Sequence, residues 1–195
     1  MHLRPMALRL LVVVCTVPTF AAAANAGPPR RTAPPIDAAH AQGASACALL
    51  LKADVEAAFA PRVFGDGATG VGAFAGTAKL ASSSSCTFTS RGGSVRDLLT
   101  VGLVVRRAPT DQAGVTLATA KGGAVKLKMT PVDVTGVGDA AYWVDMGSSK
   151  RPNIQLNVFK GKRLWFIFSA TAAGLNAETA LAGLTRVAKA TLARP

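Results

Sequence analysis

The amino-acid sequence predicts an α+β domain, a mostly antiparallel sheet with helices packed on it. Three observations point there. Ile154-Gln155-Leu156-Asn157-Val158-Phe159 alternates, Lys160-Gly161-Lys162 turns the chain, and Arg163-Leu164-Trp165-Phe166-Ile167-Phe168 returns as a second strand. Consecutive strand-like runs are joined as hairpins, which makes neighbours antiparallel. Helical periodicity opens and closes the region, at Cys47–Ala60 and after Asn176, so helices are available to cover the sheet.

Two segments precede that domain. Residues 1–26 read as a Sec-type signal peptide. Arg4 and Arg9 lead into an apolar run from Leu10 to Val17, Pro18 breaks it, and Ala24-Asn25-Ala26 is an A-x-A cleavage site. The run is shorter than the roughly 20 residues that span a bilayer, so no transmembrane segment is expected in the mature form. Cys15 follows Val14, where a lipobox requires a small residue. Residues 27–46, rich in Pro, Ala and Gly, are expected to be a flexible tether carrying His40. Residues 47–195 are then a single α+β domain.

Within the domain, Leu51, Val55 and Phe59 recur at helical spacing, Lys52 and Glu56 pair on another face, and Pro61 stops the helix. Arg62-Val63-Phe64 reads as a short strand. Gly65 to Ser85 has no period and a Gly, Ala, Ser and Thr composition, so it is expected to be a disordered loop. Cys86–Ser90 reads as a strand, Arg91-Gly92-Gly93-Ser94 as a turn, and Leu98–Arg106 as a central strand. A helix is expected over Gln112–Lys121, ended by Gly122-Gly123, followed by a strand Val125–Met129 with Lys126 and Lys128 on one face. Val132–Thr135 leads into Gly136-Val137-Gly138-Asp139-Ala140-Ala141-Tyr142-Trp143. Gly136, Gly138 and Asp139 supply the turn, and Tyr142 and Trp143 offer apolar bodies to a core. Ala141–Asp145 continues that hairpin. Trp165-Phe166-Ile167-Phe168 is apolar on both sides and should be central or covered by a helix. The last helix carries the stripe Leu181, Leu184, Ala188 and Leu192, with Asn176 as its cap.

Removing the leader leaves two cysteines, Cys47 and Cys86. An even pair in an exported chain reads as one disulfide, closing a loop of roughly 40 residues and contributing on the order of 4 kcal/mol. The alternative, a redox pair, lacks C-x-x-C spacing. The net charge of +12, or +10 without Arg4 and Arg9 of the leader, favours polyanions such as envelope polymers or anionic headgroups, contacted nonspecifically. Lys126, Lys128, Lys150, Arg151, Lys160, Lys162 and Arg163 are the candidate contacts, and a specific nucleic-acid partner is not expected of an exported chain. Gly65-Asp66-Gly67-Ala68-Thr69-Gly70 has G-x-G-x-x-G spacing but no helical pattern after it, so no dinucleotide or other cofactor is expected.

Catalytic residue types are sparse. The one histidine beyond the leader is His40, and the two glutamates, Glu56 and Glu178, lie on helix surfaces. Ser–His and Cys–His chemistry therefore lacks its base. Asp133, Asp139 and Asp145 flank the central hairpin and are the residues on which a small hydrolase or a metal-dependent enzyme would have to rest. Their spacing matches no EF-hand loop, so no metal is expected.

Three patterns combine into a resemblance: Cys47-Ala48-Leu49-Leu50 opening a helix with Val55, Cys86-Thr87-Phe88 as a strand, and Gly136–Trp143 before a terminal hairpin and helix. Over roughly Cys47 to Leu192 the chain resembles a broad group of uncharacterised bacterial exported proteins and lipoproteins, similar in turn to the α-β-α sandwich of the photosystem PsbP proteins. The resemblance implies a Cys47–Cys86 bridge and a secreted or periplasmic binding domain without established catalysis. Leu51 departs from the group, standing where a capping Ser or Thr is expected. The function expected from sequence is thus an exported, non-enzymatic envelope domain that binds an unknown ligand, an anionic polymer or another exported protein. The aspartate-based hydrolase or metal enzyme is the alternative.

Overall fold

The computed structural model describes residues 45–72, 82–108, 110–111 and 114–194. The leader, His40 and most of the tether lie outside the described residues. The elements are α1 (Ala46–Leu49), α2 (Lys52–Ala58), β1 (Ala68–Gly72), β2 (Ser82–Thr89), a 3-10 turn (Val95–Asp97), β3 (Thr100–Arg107), α3 (Leu117–Lys126), β4 (Val132–Val134), β5 (Ala140–Asp145), β6 (Asn153–Lys160), β7 (Leu164–Thr171) and α4 (Ala177–Leu192). None of these helices is long and apolar enough to cross a membrane.

The strands form one seven-stranded sheet in the order β1-β2-β3-β7-β6-β5-β4, every pairing antiparallel. β7 sits in the middle, between β3 and β6. Its residues alternate between faces. Leu164, Phe166, Phe168 and Ala170 bury with Leu103, Val105, Ile154 and Leu156 in the main core, where α1, α2 and α4 pack. Trp165 and Ile167 point to the opposite face, where α3 lies. Helices on both faces of an antiparallel sheet make the α+β sandwich expected from sequence.

The first helix is not continuous. It breaks at Leu50, and Leu51 takes the N-cap position of α2 with no side-chain cap bond. The break lets Leu49 and Leu50, adjacent in sequence, both bury completely, which one helical face does not allow. Ala46, expected in the tether, is also buried, and its N–H donates to Ser84 Oγ at 3.1 Å. The Lys52–Glu56 pair forms at 3.9 Å. The Cys47–Cys86 disulfide joins α1 to β2 with 4.9 Å between Cα atoms. Phe64 makes a single bridge to Ser90 instead of a strand.

Part of the stretch expected to be a loop is sheet. β1 pairs with β2 from Ala68↔Thr87 to Gly72↔Ser83, and β2 begins at Ser82 inside the serine run. Small residues suit this edge because the elements approach closely. A Cβ at Gly67 would lie 2.8 Å from the Phe88 ring, and one at Gly70 would land on Ser85 Oγ, which donates to the Gly70 carbonyl. Low complexity here reflects tight packing rather than disorder. Residues 73–81 lie outside the described residues.

The middle of the chain differs more. The helix runs over Leu117–Lys126, passing through Gly122 and Gly123, and no strand follows at Val125–Met129. Thr116 caps it by accepting from Thr119 N at 3.2 Å. Ala120 and Ala124, one turn apart, pack on Tyr142, Val144 and Phe159. Lys128 at φ 60° reverses the chain, and Met129 N–H donates to the Ala124 carbonyl at 3.0 Å. Packing of the two alanines against aromatic rings outweighs the low propensity of the glycines. In α4, Asn176 accepts from Glu178 N and Thr179 N, as its cap position requires. The buried stripe is Ala180, Leu184, Val187 and Ala188, so Leu181 and Leu192 flank it rather than centre it. Arg194 pairs with Asp54 and donates to the Leu49 carbonyl, tying α4 to α1 and α2 rather than serving its own helix dipole.

Two substitutions of the same kind should have opposite signs. A Cβ at Gly122 meets nothing within 4 Å, so Gly122→Ala should stabilise by about 1 kcal/mol through helix propensity. At Gly183 it would lie 2.5 Å from the Phe59 ring, so Gly183→Ala should destabilise by roughly 1–3 kcal/mol. Urea unfolding of the two variants reads both. The same measurement on Cys47→Ala/Cys86→Ala should show a loss on the order of 4 kcal/mol, from the loop the bond closes.

Candidate ligand-binding site

On the sheet face opposite α4, strand register sets side chains in rows. One row runs Arg106–Trp165–Phe159–Ala140 across β3, β7, β6 and β5, and the next runs Val104–Ile167–Asn157–Tyr142. Alternation puts every member of a row on the same face. Aromatic rings chain along the rows, with 6.4 Å between the centroids of Tyr142 and Phe159 and 5.6 Å between Phe159 and Trp165. The Arg106 guanidinium carbon sits 4.6 Å from the Trp165 centroid, a cation–π distance.

α3 lies over the β5 end of these rows. Lys121 bonds Asp133 on β4 at 2.7 Å and holds the helix down. Because α3 presents Ala120, Gly123 and Ala124 rather than long side chains, it leaves a cavity of about 330 Å³ between helix and sheet. Arg106, Tyr142, Asn157 and Trp165 are among its walls, and Val115, Leu127 and Met146 stand at 39%, 70% and 46% exposure on it. Apolar side chains left in water around a concave site are the usual signature of a ligand surface.

One polar group in that wall is unmatched. Trp165 Nε1–H donates to Asn157 Oδ1 at 3.1 Å. The indole N–H is a donor only, so the Asn157 oxygen must face it and the amide nitrogen must face away. That nitrogen is buried in a residue only 2% exposed and has no hydrogen-bond partner. A buried donor without an acceptor costs about 1–3 kcal/mol. Burial pushes the Tyr142 phenol above the ordinary tyrosine range, while the positive charge of Arg106 pulls it partway back. Burial also lowers the Arg106 guanidinium, and Tyr142 opposes that shift. Arginine nonetheless keeps its charge at neutral pH.

The residues singled out from sequence fare differently. Gly136 and Gly138 adopt φ of 72° and 62°, as a glycine turn requires. Asp139 does not bond within its own turn. It accepts from Gly161 N at 2.6 Å and pairs with Lys160 at 3.6 Å, locking two turns together. Asp145 accepts from Gly147 N and Asn153 N, and Asp133 from Lys121. Asp139 and Asp145 bracket β5 and so stand roughly 20 Å apart along it. Among the described residues no three His, Cys, Asp or Glu side chains come together as a metal site. The G-x-G-x-x-G glycines run into β1, not into a helix.

The seven basic residues do not form one edge. Lys126 ends α3 and Lys128 is in the turn after it, so the two share no strand face. Lys150 and Arg151 lie before β6, whereas Lys160, Lys162 and Arg163 lie at its far end, roughly 25 Å away along the strand. Lys160 is engaged by Asp139, and Arg163 Nε donates to the Ala108 carbonyl at 2.9 Å. The cavity residues Arg106, Asn157, Tyr142 and Trp165 were not legible as a site, because they come from four strands. One signal existed. A strand apolar on both faces beside a strand bearing Gln155 and Asn157 forces an amide under the second cover.

No family matches this chain, and no curated protein matches it. Among solved structures, the extracellular domain of PknH from Mycobacterium tuberculosis is 14% identical to it, covering 82% of this chain and 98% of that chain with a TM-score of 0.44. At that score the likeness carries no argument about fold or function.

Tyr142 is the chain's one tyrosine, so its ionisation can be followed directly at 295 nm. The phenolate should appear above the ordinary value of about 10. Arg106→Gln should move the transition higher still, because the favourable cation is gone. A folded value raised above the unfolded one gives stability that is complete below about pH 10 and lost as pH climbs through the folded value. Tyr142→Phe should therefore flatten the alkaline limb of the stability profile. A transition at or below that of free tyrosine would contradict the burial described.

Proposed function

We propose that the chain is an exported, non-enzymatic binding domain of the cell envelope, secreted or periplasmic, holding a small and largely apolar ligand in the cavity under α3. The single observation that carries this is the Asn157 amide, buried and unmatched in the wall of a cavity rimmed by exposed Val115, Leu127 and Met146. Export is supported by the leader pattern of residues 1–26 and suits the Cys47–Cys86 bond, since disulfides persist in oxidising compartments. The resemblance to exported α-β-α domains points the same way. The aspartate-based hydrolase gains no support, because Asp133, Asp139 and Asp145 each have separate structural partners.

Fluorescence titration with 1-anilinonaphthalene-8-sulfonate tests the cavity. The folded chain should bind it saturably with enhanced emission. A Cβ at Gly123 meets nothing within 4 Å, so Gly123→Trp can project into the cavity without a clash at its root. It should weaken binding by about tenfold or more, because the indole occupies the apolar area the dye would bury. Gly123→Ala should bind like the parent. Equal binding by the tryptophan variant would reject this cavity as the site.

A further inference from the structure

We infer that the ligand is an anionic amphiphile, with a carboxylate or phosphate head held by Arg106 and Asn157 and an apolar chain laid toward the rim. This rests on the binding reading above and specifies the chemistry that the cavity selects.

The wall's one charged side chain and its one unmatched buried amide both present donors. Asn157 is turned by Trp165 so that only its two amide donors are left for a ligand. Arg106 brings a guanidinium, which donates and never accepts. Trp165 is itself a donor already spent on Asn157. Tyr142, Gln155 and Thr119 also line the cavity with oxygens able to accept, and burial keeps the Tyr142 phenol protonated. An arginine charge beside an unmatched amide donor is matched best by a group that accepts and is negative, and an ionised carboxylate or phosphate is such a group. A neutral alcohol can accept from Asn157 but brings no charge to Arg106, and a cation would be repelled there.

The guanidinium is also presented in a fixed pose. Cross-strand register sets Arg106 directly opposite Trp165, and its guanidinium lies over that ring. A cation held in place beforehand loses little freedom when it meets an anion. The remaining lining, with Ile167, Val144 and the exposed Val115, Leu127 and Met146, has no charged group to satisfy a second head. One charged end and one apolar end on the protein imply one of each on the ligand.

Trp165 reports occupancy. In a Trp143→Phe background it is the sole tryptophan, since the chain has two. Decanoate, decyl phosphate and decanol, each below its aggregation limit, should be titrated into the full chain. Calorimetry on the unsubstituted chain repeats the comparison without relying on fluorescence. At least one of the two anions should bind about tenfold or more tighter than decanol, the scale of a charge-assisted pair. The tighter of the two identifies the head.

Arg106→Gln should bring the anions down to the level of decanol. Asn157→Asp, which keeps an acceptor for Trp165 Nε1–H, should weaken the anions more than decanol by placing a carboxylate against the head. Decanol binding as tightly as both anions would overturn the head assignment and leave the cavity intact. No binding by any of the three, nor by the naphthalene dye, would overturn both readings.

Discussion

A strand with apolar side chains on both faces has to be covered twice, and β7 is that strand. Phe166 and Phe168 face one way, and Trp165 and Ile167 face the other. Each large side chain buried contributes about 1.5–3 kcal/mol. Against a total stability of about 5–15 kcal/mol, neither face of β7 can be left in water without loss. The first cover is strong: α4 with its Asn176 cap, the α1–α2 pair, and the disulfide that pins α1 to β2. The second is α3, and it is built quite differently.

α3 meets the sheet through alanine and glycine, so it lies close over the β5 end and fills little beyond it. Two alanines on the aromatic rings, one ion pair to Asp133 and one threonine cap hold it. Exposed or half-exposed pairs of that kind contribute up to about 1 kcal/mol. The unmatched Asn157 amide costs as much or more. The second face is thus covered without being sealed, and the space left open borders the unmatched amide.

Residues that look grouped in one dimension are separated by the hairpins. Asp139 and Asp145 differ by six positions in sequence and sit at opposite ends of one strand. The turns before and after β6 carry the two basic groups to opposite ends of the sheet. A helix would have gathered residues at such spacings onto one face, whereas a strand spreads them at about 3.3 Å per residue. Conversely, Arg106 and Asn157 lie far apart in sequence, yet occupy adjacent rows of the same face. Lys126 and Lys128 show the limit of reading alternation. Val125-Lys126-Leu127-Lys128-Met129 has a strand's period, but Ala120 and Ala124 packing on Tyr142 and Phe159 keeps the chain helical through Lys126.

What the sequence determined by itself was local and periodic: the α+β class, the 154–168 hairpin, the double burial of β7, the glycine turn at 136–138, the Asn176 cap and the pairing of two cysteines. These follow from interactions between near neighbours, or, for the cysteines, from the two that lie outside the leader pattern. The tertiary structure alone decided the strand order, the break at Leu50, the pairing of β1 with the serine run, and the position of α3. It alone decided that Trp165 fixes which end of the Asn157 amide is left unmatched. That last outcome depends on β6 and β7 meeting in one register under a helix from elsewhere in the chain. No pattern within a single segment encodes such a meeting, because the burial that gives it consequence exists only once the layers have closed.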